Sequence, residues 1–545
     1  MKSGRVFCID LEERRRRVFP ALRGTGIFLA ALGAAACVAT AAEPKLEHLY
    51  PAAGQQGTMV SVTATGNFKP WPTQVWVDAP GITFQPESAT GKFAVEIAKD
   101  AAPGPHLVRL YNPDGASQPH FFIVSTEPEL LEQKPNSGFK SPQKIAALPA
   151  TISGRLDKED DVDSFAVTLK KGETFTAWVE AYVLASTFDG MLRIVDDTGE
   201  QFAFNHDGRT LDPYLSWEAP RDGTFVVQIM GFAYPATASI HFTGGPGCVY
   251  RLHLTTAPQP RFQFPPHHAT DGPELTKQEL NGETLPVPCS LSGSLDHPGD
   301  KDRFAFVATK QKTYRFEVFS TRAGTPLEAW LSLETKDGKQ LARNTEVEGS
   351  RDPQLTWTAS NDGTFFLTVG DVAHHGGPDY AYRLTAAEAV PSVAATAAGH
   401  SVTVATGKTS EIKVTIKRTH GFKARLQLIA KDLPAGVAAE AVDIPEKDGE
   451  VALKISADAG ASAVSQPLRL ALRETESGAE HPVVYAMSSI GEGNGVPQGY
   501  KELVINTTEQ LWLTVSAETP NAAAETEAPT VHGPPEVAKQ LSARP

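Results

Sequence analysis

The sequence predicts an all-β protein, a string of β-sandwich domains, and three observations lead to that prediction. Apolar and polar residues alternate over short runs, as in Met59–Ala64 and Glu411–Ile416, and this period of two is typical of half-buried strands. The chain of 545 residues has 45 Gly and 41 Pro but only 5 Met, which suits turn-rich β-structure better than helical bundles. In addition, one domain-sized stretch is written twice.

The duplicated stretch runs from Pro149 to Leu254 and again from Pro288 to Thr385. A repeat of this length is a tandem domain, because solenoid units are only roughly 20–50 residues long. A catalytic centre gains little from a nearby copy, so the duplication favours binding, adhesion or spacing. The matched segments are Ser153–Asp157 with Ser292–Asp296, Asp161–Ala166 with Asp300–Ala305, Asp212–Trp217 with Asp352–Trp357, Asp222–Phe225 with Asp362–Phe365, and Tyr250–Leu252 with Tyr382–Leu384.

The chain is too long for one core, and roughly one domain per 150 residues suggests three to five domains. Shifts in pattern and Pro-containing connectors place the domain boundaries. The last segment lacks apolar periodicity and is predicted to be a disordered tail. The predicted segments are 1–41 (signal peptide), 43–126, 130–257, 275–388, 390–517 (four β-sandwiches) and 518–545 (tail).

The N-terminus has the pattern of an export signal. A basic stretch, Arg14–Arg17, precedes the apolar run Gly26–Val38, which is too short to span a bilayer as a resident helix. Ala39–Ala41 supplies a small-x-small cleavage pattern, so the mature chain is expected to begin near Ala42. Two questions stay open: whether the signal is general secretory or twin-arginine, and whether Cys37 carries a lipid.

No later segment is apolar enough to span a membrane, so the sequence predicts no transmembrane span in the mature chain. The expected location is the periplasm, the cell surface or the extracellular medium. Cys248 and Cys289 remain after the leader, in a compartment that permits disulfides. Neither has a cysteine counterpart in the other copy, and both alternatives stay open: two independent buried thiols, or a bridge between the copies.

The composition argues against nucleic acid and against catalysis. The net charge is −14, and phosphate binding needs clustered Lys and Arg. No His-Glu-x-x-His and no Gly-x-Ser-x-Gly motif occurs. The sequence therefore predicts that the protein is not an enzyme.

The residues matched between the two copies resemble the bacterial pre-peptidase C-terminal (PPC) domain, a jelly-roll type of β-sandwich. Asp161–Phe165, Asp300–Phe304 and the Asp-Gly-Thr-Phe turns carry this resemblance. The first segment resembles the immunoglobulin-like IPT/TIG domain, through Leu49–Pro51 and the strand Val60–Gly66. The segment 390–517 resembles immunoglobulin-like modules that close large exported proteins.

The PPC resemblance also implies a candidate calcium site. In calcium-binding members an acidic linker before the first strand cooperates with the Asp-rich loop, since calcium needs six to eight oxygen ligands. In this chain Lys134 stands where that linker has a glutamate, and the second copy shows no such linker. Two alternatives remain, a calcium site in the first copy or a solvated Asp-rich turn, and no other cofactor is predicted. The candidate ligands are Glu132, Asn136, Asp161 and Asp163.

Two functions fit these observations. The first is a non-catalytic exported modular protein whose tandem PPC-like sandwiches bind extracellular protein, polysaccharide or a cell-surface partner. The second is an accessory or targeting subunit of a secreted peptidase or hydrolase system, with the enzyme on another chain. Trp217 and Trp357, which recur at matched places, are predicted to pack in the cores, because aromatic residues dominate core energetics.

Overall fold

A computed structural model of the chain describes residues 42–517 except 207, 209–211, 235–238, 259–261, 263, 266, 269–270, 348–349 and 491–501. The predicted signal peptide (1–41) and the predicted tail (518–545) lie outside the described residues. Within the described part of the chain, no helix is long and apolar enough to cross a membrane. The described residues confirm the predicted fold class, since strands of several sheets account for nearly all regular structure.

The N-terminal sandwich consists of two sheets that pack around Val62, Phe93 and Phe122. One sheet has the order β1-β3-β6-β5 and the other β2-β9-β7-β4, with β8 paired to β7. Its strands are β1 (Lys45–Tyr50), β2 (Ala53–Gln55), β3 (Met59–Asn67), β4 (Gln74–Val77), β5 (Ile82–Pro86), β6 (Lys92–Ile97), β7 (Gly104–Asn112), β8 (Gly115–Ala116) and β9 (His120–Ser125).

The first duplicated sandwich consists of two sheets, β10-β12-β19-β14-β17 and β11-β13-β18-β15-β16. We call the sheet that contains the linker strand β10, and the matching sheet of the second copy, the outer sheet. Phe165, Phe175 and Phe225 fill the space between them and are fully buried. Its strands are β10 (Glu129–Leu131), β11 (Gln143–Lys144), β12 (Ala150–Arg155), β13 (Asp163–Leu169), β14 (Thr174–Glu180), β15 (Phe188–Val195), β16 (Gln201–Asn205), β17 (Tyr214–Glu218), β18 (Gly223–Ala233) and β19 (Val249–Thr255).

The second duplicated sandwich repeats this arrangement, with an outer sheet β20-β21-β28-β23-β26 and a second sheet β22-β27-β24-β25. A single helical turn, α1 (Lys277–Leu280), follows its first strand and begins with a capping box at Thr276. Its strands are β20 (Glu274–Thr276), β21 (Cys289–Ser294), β22 (Lys301–Ala308), β23 (Thr313–Phe319), β24 (Ala329–Glu334), β25 (Gln340–Asn344), β26 (Gln354–Thr358), β27 (Gly363–Asp371) and β28 (Ala381–Glu388).

The C-terminal β-domain joins its strands through one continuous path, β30-β39-β36-β37-β29-β31-β35-β33, with β32, β34 and β38 paired beside it. Val414, Leu453 and Leu472 lie in its core. Its strands are β29 (Ser392–Ala397), β30 (Ser401–Ala405), β31 (Thr409–Thr419), β32 (Leu426–Lys431), β33 (Val437–Ala439), β34 (Val442–Asp443), β35 (Gly449–Ala457), β36 (Val464–Glu474), β37 (Glu480–Ile490), β38 (Glu502–Thr508) and β39 (Leu511–Ser516).

The two cysteines are independent thiols. Cys248 and Cys289 are both buried free thiols, and each belongs to the core of its own sandwich. Burial raises the pKa of the Cys289 thiol to about 12, because the thiolate is disfavoured away from water. Of the two alternatives for this pair, the structure therefore shows separate core residues and no bridge between the copies.

The matched tryptophans pack against the cores, as predicted, but they are half-buried rather than enclosed. The Trp217 ring meets Phe225 edge-on with 4.9 Å between ring centroids. The Trp357 ring meets Phe365 in the same way at 4.7 Å. Edge-to-face pairs at this distance stabilise a fold beyond their buried area.

We expect Trp217→Ala or Trp357→Ala to destabilise its own sandwich by about 3 kcal/mol, because each change removes a large ring from a core edge. Calorimetry of the full chain measures this as a lowered transition for one domain. Unchanged melting in both variants would show that the rings contribute little to the cores.

The N-terminal sandwich contacts the C-terminal β-domain through a buried arginine. Arg109 of β7 is 0% exposed, and its Nη2 donates to the carbonyl oxygen of Gln510 at 2.8 Å. Its Nη1 donates to the carbonyl oxygen of Ser117 at 3.0 Å and lies 3.1 Å from Nδ1 of His400. We call Arg109 with these partners the Arg109 clasp.

Aromatic rings surround the clasp. Trp512 of β39 is 1% exposed, and its ring meets Trp76 of β4 edge-on at 5.8 Å and Tyr111 of β7 at 5.0 Å. Leu107, Phe121 and Met487 form a small buried cluster beside them. Because these residues come from both ends of the described chain, the contact closes the N-terminal sandwich onto the C-terminal β-domain.

We expect acid to weaken this contact. Burial, followed by the charge of Arg109, lowers the pKa of His400 to about 3, whereas an unfolded histidine titrates near about 6.5. The folded state therefore resists a proton that the unfolded chain accepts, so stability is complete above about pH 6.5 and falls as the pH drops toward 3, by about 5 kcal/mol in total.

The unfolding free energy of the full chain, measured between pH 7 and 4, tests this expectation. His400→Gln keeps a hydrogen-bond acceptor without a titrating ring and should flatten the profile. Burial also lowers the pKa of His48, to about 4, so the difference between wild type and His400→Gln isolates the clasp. Superimposable profiles would contradict the role of His400.

Candidate functional site

The predicted site residues come together because the linker before the first duplicated sandwich adds a strand to it. β10 lies parallel to β12, with Glu129 opposite Thr151. This pairing carries Glu132 to the end of β12, where the backbone N–H of Arg155 donates to Glu132 Oε2 at 3.0 Å. The loop after β12 then brings Asp161 to the same place.

Lys134 lies at the centre of this cluster. Its Nζ donates to Asp161 Oδ2 at 2.7 Å and to Asp163 Oδ1 at 2.8 Å. It also lies 3.0 Å from Glu132 Oε1 and donates to the carbonyl oxygen of Arg155 at 3.1 Å. Four oxygens thus surround one ammonium group, and we call this arrangement the Lys134 cage.

Neighbouring side chains hold further polar atoms of the cage. Asn136 Nδ2 donates to Glu132 Oε1 at 2.9 Å, and the Tyr250 hydroxyl donates to Asp163 Oδ2 at 2.8 Å. Asp161 and Asp163 are 3% and 0% exposed. The alternative of a solvated Asp-rich turn is therefore wrong, because the tyrosine and the linker enclose these carboxylates.

The electrostatics of the cage follow from burial and pairing. Burial alone would lower the pKa of Lys134, but its hydrogen bonds to Asp161 and Asp163 outweigh burial and raise that pKa above its usual range. Burial and the neighbouring Glu132 carboxylate raise the pKa of Asp163. Lys134 consequently stays charged at neutral pH and cannot serve as a base there.

The second copy contains an equivalent cage, which the sequence comparison missed. Lys277 Nζ lies 2.6 Å from Asp302 Oδ1, and it donates to Asp296 Oδ2 at 3.1 Å and to the carbonyl oxygen of Ser294 at 3.0 Å. The Tyr382 hydroxyl donates to Asp302 Oδ2 at 2.6 Å. We call this arrangement the Lys277 cage.

The segment before the second copy adds a linker strand as well, although its sequence contains no acidic motif of the calcium-binding type. β20 lies parallel to β21, with Glu274 opposite Ser290, just as Glu129 lies opposite Thr151 in the first copy. Counting from these glutamates, Lys277 takes the position of Glu132, whereas Lys134 comes two residues later. The signal in the sequence is the shared Glu-Leu pair that begins each linker strand.

The two copies also share an arginine that binds each linker to its outer sheet. Arg251 of β19 donates to Glu129 and Glu180, and Arg383 of β28 donates to Glu274 Oε1 at 2.7 Å. Each arginine thus anchors the glutamate that begins its linker strand, and this anchor fixes where the following lysine reaches.

The cages can bind and orient charge, but their lysines are already hydrogen-bonded to carboxylates. The four predicted ligand residues are brought together, with the Lys134 ammonium among their oxygens. A calcium ion at the same point would need that ammonium to leave, since both cations require the same carboxylates. Calcium binding to the unmodified first copy therefore stays an alternative to the Lys134 ammonium at this point.

No protein-family model and no curated protein sequence matches this chain. Solved structures match at low identity. The M60 catalytic domain with CBM51 domains of Clostridium perfringens ZmpB is 8% identical with a TM-score of 0.13, over 68% of this chain and 56% of that one. The chain thus spans little more than half of that structure.

Two further structures contain modules of related kinds. The fibronectin(III)-like modules of Clostridium thermocellum CbhA are 10% identical with a TM-score of 0.13, over 32% of this chain and 85% of theirs. The N-terminal eight Ig domains of Down Syndrome Cell Adhesion Molecule are 11% identical with a TM-score of 0.18, over 81% of this chain and 56% of that one.

Proposed function

We propose that the chain is a non-catalytic, exported modular protein whose two PPC-like sandwiches bind extracellular protein or polysaccharide. One observation carries the proposal: the two copies share the same interactions between linker and sandwich but differ on the outer sheet. The lysine cage, the tyrosine that bonds to it and the linker arginine recur. Interactions that both copies share serve folding. The surface on which the copies differ is therefore where ligand specificity would be determined.

The difference lies at matched positions of the outer sheets. Trp178 of β14 pairs with His253 of β19, whereas the second copy pairs Glu317 of β23 with Thr385 of β28. At these positions the first copy has two aromatic rings, whereas the second copy has a carboxylate and a hydroxyl. Aromatic groups with polar edges are typical of binding surfaces, so the first copy is the better candidate for ligand contact.

The cages argue against catalysis by the residues that seemed most suited to it. A general base must be free to accept a proton at the working pH, and the cage lysines are charged and bonded to carboxylates. The acidic residues are likewise engaged by lysine, tyrosine and backbone donors. These groups hold the linker to the sandwich, which is a structural task.

Retention of extracellular material by the immobilised full chain tests this function. We expect proteins or polysaccharides from the cell surface or medium to be retained and no hydrolysis of protein, ester or polysaccharide substrates. Retention of a secreted hydrolase would favour the accessory-subunit alternative. Turnover that survives repurification and is abolished by one point mutation would refute the non-catalytic assignment.

A further inference from the structure

A cleft of about 390 Å³ lies where the N-terminal sandwich meets the outer sheet of the first duplicated sandwich. Ile123 and Ser125 of β9 form one side, and Trp178, Arg251 and His253 form the other. Ligand sites occur preferentially at such junctions between domains and combine apolar walls with a few polar groups. No sequence motif marks this cleft, because its two sides come from different domains.

Two stacked rings form one wall of the cleft. The Trp178 and His253 rings are nearly parallel, at an interplanar angle of 4° with 4.5 Å between centroids. His253 lies between two polar neighbours, since its Nδ1 lies 3.0 Å from the Thr151 hydroxyl and its Nε2 lies 3.2 Å from Glu180 Oε2. The rings are therefore held in place before any ligand arrives.

Glu180 strengthens this arrangement. Burial alone would raise the pKa of Glu180, but His253 and Arg251 outweigh burial and lower it to about 2. The carboxylate stays charged and bound to Arg251, so the wall keeps its shape over the physiological pH range. A rigid aromatic wall reduces the ordering cost of binding.

In the second copy, a segment of the chain itself packs against Arg383, the arginine that matches Arg251. Arg383 follows the tyrosine of Tyr-Arg-Leu, as Arg251 does in the first copy. Its Nη1 donates to the carbonyl oxygen of Pro265 at 2.7 Å, and its guanidinium lies 5.3 Å from the centroid of the Phe264 ring. Both partners belong to the linker that precedes the second duplicated sandwich.

In the first copy the matched arginine meets a different partner. Glu180 binds Arg251, whereas the residue at the same position of the second copy is Phe319. The face of the sheet beside Arg251 borders the cleft. The second copy thus provides an internal example of a polypeptide on this face, with a proline carbonyl and an aromatic ring at the arginine.

We propose that the cleft binds a proline- and aromatic-containing segment of an extracellular polypeptide. The inference rests on the proposed binding function and selects protein over polysaccharide as the ligand of this site. Aromatic-lined grooves accept proline-rich segments because such segments are already extended and lose little entropy on binding. Proline also lacks an N–H group, so it needs no acceptor when its ring packs on Trp178.

The test uses the full chain and a labelled synthetic peptide with the sequence of residues 257–268, which contains Phe264 and Pro265. Fluorescence anisotropy measures its binding, a peptide with every proline replaced by alanine is the control probe, and soluble β-linked oligosaccharides are the competing probes. We expect the proline peptide to bind more tightly than its alanine form and the oligosaccharides not to compete.

Two variants locate the binding. Trp178→Ala removes the wall, and Thr126→Trp fills the cleft from an exposed position, where the fold tolerates a new side chain. We expect each to weaken peptide binding about tenfold or more, as loss of a central aromatic contact does. Gln354→Ala, on the outer sheet of the second copy, is the control and should bind like wild type.

The outcomes separate this inference from the proposed function. Loss of peptide binding in both variants, with melting retained in Thr126→Trp, supports the cleft as a peptide site. Unchanged peptide binding in both variants overturns the inference, and so does oligosaccharide binding that depends on Trp178, although the second result leaves the proposed function standing. A full chain that retains neither probe nor any extracellular material overturns both.

Discussion

Replacing Lys134 by methionine is expected to destabilise the first duplicated sandwich by about 3 kcal/mol. Removing one partner of a buried ion pair costs about 3–5 kcal/mol, because the opposite charge is left buried without compensation. The lower end applies here, since the Lys134 side chain is 30% exposed. The buried carboxylates of Asp161 and Asp163 would then repel each other without a cation between them.

Calorimetry of the full chain measures this effect as a selective fall in one transition. Lys277→Met should lower the transition of the second duplicated sandwich instead, and Lys144→Met, which alters an exposed lysine of β11, should change neither. Equal melting of Lys134→Met and Lys144→Met would show that the cage does not stabilise the fold.

Replacing Arg109 by methionine is expected to separate the N-terminal sandwich from the C-terminal β-domain at a cost of about 3 kcal/mol. The change leaves two carbonyl oxygens, those of Ser117 and Gln510, without their donor. Each unsatisfied buried acceptor costs about 1–3 kcal/mol. Trp512, which is fully buried in the contact, would become exposed to solvent as the two parts move apart.

Small-angle scattering and tryptophan fluorescence measure the separation as a larger radius of gyration and a red shift. Arg425→Met, at an exposed arginine of the C-terminal β-domain, serves as the control. A compact Arg109→Met variant with wild-type fluorescence would show that the aromatic contacts hold the two parts together without the arginine.

The strands were predictable because alternation and turn residues are local signals. β3 and β31, for example, follow the alternating runs from which they were predicted. Arg109 lies in another such run, but its partners His400 and Gln510 are 291 and 401 positions away. No local pattern can show that contact, since it depends on how the domains pack.

The candidate site was predictable in part. Glu132, Asn136, Asp161 and Asp163 converge as the PPC resemblance implied, but Lys134, which stands where that linker has a glutamate, is itself the cation. A lysine side chain is long enough to bring its ammonium to the place of an ion from several backbone positions. For that reason Lys277 fills the second cage from a different position in its linker. A comparison by sequence position therefore did not reveal it.

The central claim is that the lysine ammonium serves as the cation of each cage. The most direct test is calorimetry of the wild-type chain and Lys134→Met during a calcium titration. We predict that calcium leaves both wild-type sandwich transitions unchanged and raises the weakened transition of Lys134→Met, because the ion then takes the vacated place among the carboxylates. A wild-type first sandwich stabilised by micromolar calcium would contradict the claim.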